Sequence, residues 1–308
     1  MMRHGLATWL LGIAVLSTPA GAASRAGGDI PIEDGRVFPE NIAAGPDGTL
    51  WIGSVGRAGV YRALPGERTA KRWIVPGAHG MKRVMGLYYD AGRHLLWVCD
   101  AGVRSADGAK GVASIRTFDP ETGAPRDNFS MEARGGCNDL TIASDGTVYV
   151  SDFEDARIYR WKAGDAAFAP WLDDARLAAV DGLAFLADGA LYVNTFREGG
   201  LYRVGINPDG SAGTPQRLAL SQPLERPDAM RTIGPDTLLV AEGVGKVSIV
   251  TIRGDQATVR VVRDGMTDGV AAAVLVGDVA YAVQPKFAKM SDPAVDPGAF
   301  AVVAVPLR

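Results

Sequence analysis

The chain has 308 residues, of which 47% are hydrophobic and 22% are charged, with a formal net charge of −3. This length and composition predict a globular protein with a sizeable core. The small negative charge gives no electrostatic drive towards nucleic acid or an anionic membrane surface, so neither is an expected partner.

The first residues follow the pattern of a secretory signal peptide. Residues 3–4 are basic, an apolar run covers residues 6–16, and small residues follow at 20–22. The apolar run is too short to span a bilayer. We therefore expect residues 1–22 to be cleaved rather than retained as an anchor, so that residues 23–308 become a periplasmic or secreted protein.

The mature chain reads as a series of short β-strands separated by Gly, Pro and Asp turns, without sustained helical periodicity. Residues 140–172 contain LTIA, TVYVS, RIYRW and FAPWL, and residues 183–220 contain LAFL, ALYVN, GLYRV and QRLAL. The acids of the first turns, Asp47, Asp145 and Asp188, are expected to be structural. Six such units of four strands each predict an all-β, six-bladed β-propeller as a single domain.

The last unit has only three predicted strands, the last of them within AFAVVAVPL. Residues 30–32 precede the first unit much as the fourth strand of each other unit precedes the next. We expect this segment to supply the outer strand of the last blade. That pairing would close the ring and remove two free sheet edges.

One position recurs at the start of the first strand of each unit, and we call its six copies the channel positions. They are occupied by Glu40, Met85, Asn138, Asp181, Asp228 and, in a looser match, Asp268. The first strand of a propeller blade lines the central channel, so these side chains should ring one mouth of it. Crowded carboxylates repel, so either some are protonated or a cation neutralises them.

Oxygen donors without His or Cys favour a hard cation, and Ca²⁺ accepts six to eight oxygens in flexible geometry. We expect a divalent metal, with Ca²⁺ preferred over Mg²⁺, Mn²⁺ or Zn²⁺, because His79 and His94 lie apart from the channel positions. The alternative for a single Asp before Gly is a turn residue. That alternative does not account for Glu40, or for Asn138 followed by Asp139.

The two cysteines, Cys99 and Cys137, are candidates for a disulfide because cysteines of exported proteins often pair. Cys99 ends a predicted strand and Cys137 directly precedes Asn138, so both should lie on the same rim of neighbouring units. The alternative is two small buried thiols.

Four runs, in order PENIAAGPDGTLW, CNDLTIASDG, VDGLAFLADGALYV and PDAMRTIG, resemble the senescence marker protein/regucalcin–gluconolactonase family of six-bladed propellers. The resemblance implies a divalent metal, usually Ca²⁺, held by Glu40, Asp181 and Asp228, and a substrate-binding Asn138. The family usually has Asn where this chain has Asp181, which adds a negative charge to the expected site.

The resemblance implies a metal-dependent hydrolase of lactones or related esters, acting on a small molecule without a protein partner. The metal would polarise the carbonyl, Asp228 would be the general base, and Asn138 would donate a hydrogen bond to substrate. No G-x-S-x-G, P-loop or G-x-G-x-x-G motif offers a competing site. The alternatives are a non-catalytic propeller resembling NHL-repeat proteins, with structural Ca²⁺ only, and an enzyme like strictosidine synthase.

Substrate specificity is expected to depend on loops around the same mouth. The candidates are Arg83, Phe153, Phe196 and the loop of residues 285–298, which is one of two long loops, the other being residues 102–112. A long loop in a compact fold is often a lid or a binding loop, and a plain surface excursion is the alternative.

Overall fold

The structure is a computed structural model that describes residues 27–109, 111–131 and 136–307. Six antiparallel sheets surround a central channel, which confirms the predicted six-bladed β-propeller. The predicted signal peptide lies outside the described residues. Within these ranges the helical segments are three short 3₁₀ turns, Ala78–Gly80, Ala175–Leu177 and Phe287–Lys289, and no helix is long and apolar enough to cross a membrane.

The first three blades each contain four strands in sequence order from the channel outwards. Blade one contains β2 (Pro39–Ala44), β3 (Leu50–Ser54), β4 (Gly59–Ala63) and β5 (Lys71–Ile74). Blade two contains β6 (Val84–Asp90), β7 (Leu95–Asp100), β8 (Ser114–Phe118) and β9 (Pro125–Ser130). Blade three contains β10 (Leu140–Ile142), β11 (Val148–Asp152), β12 (Arg157–Trp161) and β13 (Ala169–Asp173).

Blade four keeps this order, whereas blades five and six depart from it at their outer edges. Blade four contains β14 (Val180–Phe185), β15 (Leu191–Thr195), β16 (Gly200–Val204) and β17 (Gln216–Arg217). Blade five contains β19 (Pro227–Gly234), β20 (Thr237–Glu242), β21 (Lys246–Arg253), β22 (Gln256–Arg263) and, outermost, β18 (Ala219–Leu220). Blade six contains β23 (Ala272–Val276), β24 (Val279–Val283), β25 (Ala301–Pro306) and, outermost, β1 (Ile30–Pro31).

The N-terminal strand closes the ring as the sequence predicted. As the outermost strand of blade six, β1 pairs antiparallel with β25, and Ile30 lies opposite Val302. Both Ile30 and Ile32 are buried. The backbone N–H of Ala70 in blade one donates to the carbonyl of Pro31 at 2.8 Å. This short segment therefore joins the last blade to the first and covers an otherwise free sheet edge.

The run QRLAL, predicted as one strand of blade four, is divided between two blades. β17 pairs with β16 of blade four, whereas β18 runs parallel to β22 of blade five. The division falls at Leu218, which is buried. The sequence pattern predicted a strand here, but the neighbour that each half pairs with depends on the ring.

The hydrophobic core lies between adjacent blades. Between blades two and three, Phe129 packs on Trp161 with ring centroids 5.2 Å apart, and Trp97 lies 5.6 Å from the same ring. Large aromatic side chains at such spacings bury much apolar area. Because each blade depends on its neighbours for this packing, the inner strands form a fixed frame around the channel.

The predicted turn acids are structural. The side chains of Asp47 and Asp145 each accept a hydrogen bond at 2.9 Å from the backbone N–H two residues later, and Asp188 accepts one at 3.1 Å. These are Asx-type contacts that stabilise the tight turn between the first two strands of a blade. They leave the channel positions as the candidates for chemistry.

Candidate functional site

The channel positions are aimed into the channel by irregularities in the innermost strands. In blades one, two, four and five the pairing register shifts at the channel position, which leaves its side chain out of the regular ladder. The four residues at these shifts are Glu40, Met85, Asp181 and Asp228. A β-bulge of this kind redirects a side chain, and here it directs three carboxyl groups towards the axis.

A left-handed backbone conformation precedes the channel position in several blades. Two residues before each acid the φ angle is positive, at 45° for Phe38, 59° for Ala179 and 55° for Arg226. This conformation costs a non-glycine residue about 1–2 kcal/mol. In the packed ring this strained conformation recurs at the same place in three blades, each time two residues before a carboxyl group of the channel.

The prediction that Asp268 is the sixth channel position is wrong. The residue after one channel position donates its backbone N–H to the carbonyl of the next, from Gly86 to Asn138 at 2.6 Å and from Ala229 to Ala271 at 3.0 Å. The second bond identifies Ala271 as the blade-six position. The alignment failed because this unit has no polar residue to mark the place.

Asp268 instead anchors the loop of residues 285–298. Its carboxylate lies 2.9 Å from the ammonium of Lys289 and 3.6 Å from that of Lys286. The hydrogen bond from Lys289 lowers the pKa of Asp268. Asp268 therefore stabilises a loop that reaches the channel mouth, and it is outside the acidic site itself.

The four predicted site residues meet in one cavity. Glu40, Asn138, Asp181 and Asp228 line a cavity of about 320 Å³ at one mouth of the channel. They are 3%, 6%, 3% and 9% exposed, so Asp228 is the most accessible of the three carboxyl groups. The cavity is also lined by the predicted specificity residues and by members of both long loops: Arg83, Met85, Gly102, Arg104, Gly111, Phe153, Phe196 and Phe287.

Asn138 is hydrogen-bonded to one of these carboxyl groups, because its Nδ2 donates to Oδ1 of Asp181 at 2.7 Å. Asp181 and Asp228 are close enough for the charge of Asp228 to raise the pKa of Asp181. Within the described residues, the buried Oε2 of Glu40 has no hydrogen-bond partner.

The three carboxyl groups are electrostatically crowded. Burial, and then the negative charges of Asp181 and Asp139, raise the pKa of Glu40 well above its ordinary value. Burial and then the charge of Asp228 raise the pKa of Asp181, and burial and then the charge of Glu40 raise the pKa of Asp228. The site therefore retains protons at a pH where isolated carboxyl groups would lose them.

The donor set is compatible with a hard divalent cation, although the side chains are not arranged as a closed ligand set. Over residues 27–109, 111–131 and 136–307, no three His, Cys, Asp or Glu side chains are grouped tightly enough to form a metal-binding cluster as they stand. The Glu40 oxygen, which has no partner among the described residues, and the repulsion between Asp181 and Asp228 both mark a place where positive charge would be stabilising. Carboxylate and amide oxygens are the ligands that Ca²⁺ prefers.

Beneath the acidic cavity, a buried arginine closes the channel. The guanidinium of Arg231 donates to the two carboxylate oxygens of Asp139 at 2.7 and 3.0 Å. It also donates to Oδ1 of Asn41 at 2.8 Å and to the carbonyl of Leu87 at 3.0 Å. These partners come from blades one, two and three, whereas Arg231 comes from blade five, so one side chain joins four blades across the axis. We call Arg231, Asp139 and Asn41 the channel plug.

Sequence reasoning missed the channel plug. Burial opposes the charged form of Arg231, but the Asp139 carboxylate more than compensates and raises the pKa of the arginine. The signal was present but weak. Asn41 and Asp139 each directly follow a channel position, and Arg231 lies three residues after Asp228.

Asn194, also missed, connects two of the acid-bearing strands. Its Oδ1 accepts from the backbone N–H of Gly182 at 3.0 Å, and its Nδ2 donates to the carbonyl of Asp228 at 2.6 Å. A Cβ atom at position 182 would lie 2.6 Å from that same carbonyl, so only glycine fits there. Asn194 and Gly182 thus set the separation of Asp181 and Asp228.

The cysteines form a disulfide at the edge of the site. Cys99 and Cys137 are joined with Cα atoms 5.8 Å apart, linking the second strand of blade two to the residue before Asn138. Cys137 is also part of the cavity wall. The bond fixes the start of blade three, and therefore the backbone that carries Asn138.

Comparison with solved structures shows that other proteins share this fold. No family profile matches the sequence, and no curated protein matches it. Among solved structures, a gluconolactonase from Xanthomonas campestris superimposes with a TM-score of 0.64 at 16% identity, covering 91% of this chain and 98% of that one. The luciferin-regenerating enzyme gives 0.60 at 15% identity, covering 92% and 93%. These likenesses show the fold, a six-bladed β-propeller.

The expected resemblance is thus confirmed at the level of fold. A gluconolactonase-like propeller is not committed to one reaction, because fold and chemistry are separable. Virginiamycin B lyase from Staphylococcus aureus also superimposes, with a TM-score of 0.59 at 14% identity over 91% of this chain and 98% of that one. The side chains of the cavity, and not the fold, therefore indicate the chemistry.

Proposed function

We propose that the protein is a metal-dependent hydrolase of lactones or related esters. The observation that carries the proposal is the meeting of Glu40, Asp181, Asp228 and Asn138 in one buried cavity at the channel mouth. Their carboxyl groups repel one another and retain protons. A divalent cation, with Ca²⁺ as the first candidate, would replace those protons.

Glu40, Asp181 and Asp228 are the residues that would hold the cation. When bound, it would supply an electrophile for the substrate carbonyl oxygen. The extra negative charge of Asp181, compared with the asparagine usual in the resembling family, strengthens cation binding through Coulomb attraction. Asn138 presents its amide to the same cavity, where it can donate a hydrogen bond to the substrate if it releases Asp181.

Asp228 is the residue proposed to activate water. It is the most exposed of the three carboxyl groups, at 9%, so a water molecule can reach it from the cavity. Asp228 takes a proton from that water as the oxygen attacks the carbonyl carbon. The ester C–O bond then breaks, the proton passes to the leaving oxygen, and a hydroxy acid, or an acid and an alcohol, results.

The channel plug blocks the channel, so the acidic cavity is open to solvent on one side of the ring. Arg231 fills the channel centre, and its other face contributes to a separate pocket with Tyr88 and Tyr89 at the opposite mouth. Substrate and product therefore exchange through the cavity that carries Arg83 and the phenylalanines. A site closed at its base admits less water, which strengthens its electrostatic interactions.

A hydrolysis and stability panel tests the proposal. Residues 23–308 are assayed on lactones and aryl esters with Ca²⁺, Mg²⁺, Mn²⁺, Zn²⁺ or EDTA, beside Asp228→Asn and the control Asp255→Asn. We expect metal-dependent turnover that falls about 100-fold or more in Asp228→Asn and is unchanged in the control, because the Asp255 side chain is exposed and does not line the cavity.

Two other outcomes separate the alternatives. A protein inert on every ester that still melts at a higher temperature with Ca²⁺ is a non-catalytic binding propeller, the second function expected from the sequence. No change in melting temperature with any divalent cation would remove the metal from the proposal.

A further inference from the structure

Arg83 places a positive charge in the cavity wall, and this charge acts to lower the pKa of Glu40. Within the described residues, its guanidinium forms no ion pair and no hydrogen bond to an oxygen, and its one polar contact is with Sδ of Met85 at 4.0 Å. Met85 is one of three channel positions without a carboxyl group, together with Asn138 and Ala271. The guanidinium therefore lies on the blade-two side of the mouth, where the ring of acids is interrupted.

The backbone of Arg83 is fixed although its head group is free. Oδ1 of the buried Asp100 accepts from the backbone N–H of Lys82 at 2.7 Å and of Arg83 at 3.1 Å. Oδ2 of the same carboxylate accepts from Arg116 at 3.0 Å. A charged group that is held on a rigid base and has no ion-pair partner among the described residues is preorganised for an external one.

Three phenylalanines give the same cavity an apolar surface. The rings of Phe153 and Phe196 meet edge to face with centroids 5.9 Å apart. Phe287, from the 285–298 loop, is 37% exposed. An exposed aromatic ring at a cavity mouth is an apolar surface, and such surfaces bind flat, apolar groups.

The remaining polar side chains of the cavity are carboxyl, amide and guanidinium groups. Among the described residues that line it, none is Ser, Thr, Tyr, His, Lys or Gln. Arg104 is occupied by the carboxylate of Glu154 and the carbonyl of Gly108. Of the two arginines in the described cavity wall, Arg83 is therefore the one that can pair with an external anion.

We propose that the cavity recognises a small molecule with a flat, apolar body and an anionic group, the anion pairing with Arg83 and the body packing on the phenylalanines. Under the proposed function, on which the identity of the bond broken rests, the substrate is an aromatic or similarly apolar ester or lactone that carries a carboxylate. A neutral sugar lactone lacks both features.

Binding measurements test this inference without requiring turnover. Calorimetry of residues 23–308 in Ca²⁺-containing buffer compares 2-naphthoate with its neutral isostere 2-naphthamide and with the polyol anion gluconate. We expect naphthoate to bind about tenfold or more tightly than either, as a charge-assisted hydrogen bond and ring packing predict.

Matched variants assign the two contacts. Arg83→Met should remove the preference of naphthoate over naphthamide, whereas Lys82→Met, which removes the neighbouring positive charge, should retain it. Phe196→Ala should weaken both naphthyl ligands by a similar factor, about threefold to tenfold. A carboxylate preference that persists in Arg83→Met would show that the anion binds elsewhere and would overturn the inference.

The result also separates this inference from the proposed function. Hydrolysis of neutral and anionic aryl esters with equal kcat/KM, unchanged in Arg83→Met, overturns the Arg83 assignment while the hydrolase stands. A protein that turns over no ester but binds naphthoate through Arg83 retains the site as a ligand-binding site, and the hydrolase proposal fails.

Discussion

Arg231 and Asp139 form a two-pronged ion pair at the centre of the channel, with N–O distances of 2.7 and 3.0 Å. The arginine side chain is 12% exposed and the aspartate side chain 1% exposed. They belong to blades five and three, 92 residues apart in sequence. One charged contact thus connects blades that do not share a sheet and forms the base of the acidic cavity.

Replacement of Arg231 by Met should lower the free energy of unfolding by about 3–5 kcal/mol, because it leaves the Asp139 carboxylate buried and unpaired. Urea unfolding followed by tryptophan fluorescence measures the change. Arg253→Met is the control, since that arginine is 79% exposed in its pair with Asp236 and should contribute at most about 1 kcal/mol. Equal effects of the two substitutions would contradict a structural role for the channel plug.

Cation binding should tighten as the pH rises. The pKa values of Glu40, Asp181 and Asp228 are raised in the metal-free fold, and a cation binds the deprotonated carboxylates. Each proton released should change the affinity about tenfold per pH unit over the range in which the groups titrate. Calorimetry between pH 5.5 and 8, in buffers of different ionisation enthalpy, measures both the affinity and the protons released.

The folding stability of the metal-free protein should change in the opposite direction and fall as the pH rises. A carboxyl group with a raised pKa in the folded state holds a proton that the unfolded chain has already lost. These three groups therefore destabilise the metal-free fold as the pH rises from their ordinary range towards their raised values. Glu40→Gln should flatten that dependence, whereas Asp268→Asn should not. A pH-independent Ca²⁺ affinity would argue that the site binds cations without losing protons.

Loss of the disulfide should destabilise the protein by about 4 kcal/mol, the loop-closure entropy expected for a 38-residue separation. The double variant Cys99→Ser/Cys137→Ser, unfolded in urea beside the wild type with and without reductant, gives the value. The reduced wild type should behave like the double variant. A loss below about 1 kcal/mol would indicate that the unfolded chain is already restrained without the covalent bond, by residual contacts between the segments of blades two and three.

Removal of the N-terminal strand should destabilise the whole ring. Ile30→Ala and Ile32→Ala should each cost about 2–5 kcal/mol because both side chains are buried. A chain that begins at residue 33 should melt at a markedly lower temperature. The control Val75→Ala changes a side chain that is 61% exposed and should have little effect. An unchanged melting temperature in the shortened chain would show that the ring closes without this strand.

The sequence by itself was sufficient for the repeat, the strands and the closing segment. Alternating apolar residues and Asp-Gly turns specify strands through local chemistry, and six copies of one unit leave few ways to bury six sheets. Glu40, Asn138, Asp181 and Asp228 could be found because repetition marks equivalent positions, and equivalent positions in a ring converge. Asp268 was misplaced where that mark was absent, since Ala271 carries no polar signal.

The tertiary structure alone decided the contacts across the axis and around the mouth. Arg231 meets Asp139 only after the ring has closed, because residues 92 positions apart in different blades have no local pattern that pairs them. The free guanidinium of Arg83 and the grouped phenylalanines likewise depend on loop positions that periodicity does not encode. Local patterns determine which strands form, and ring closure determines which side chains share a cavity.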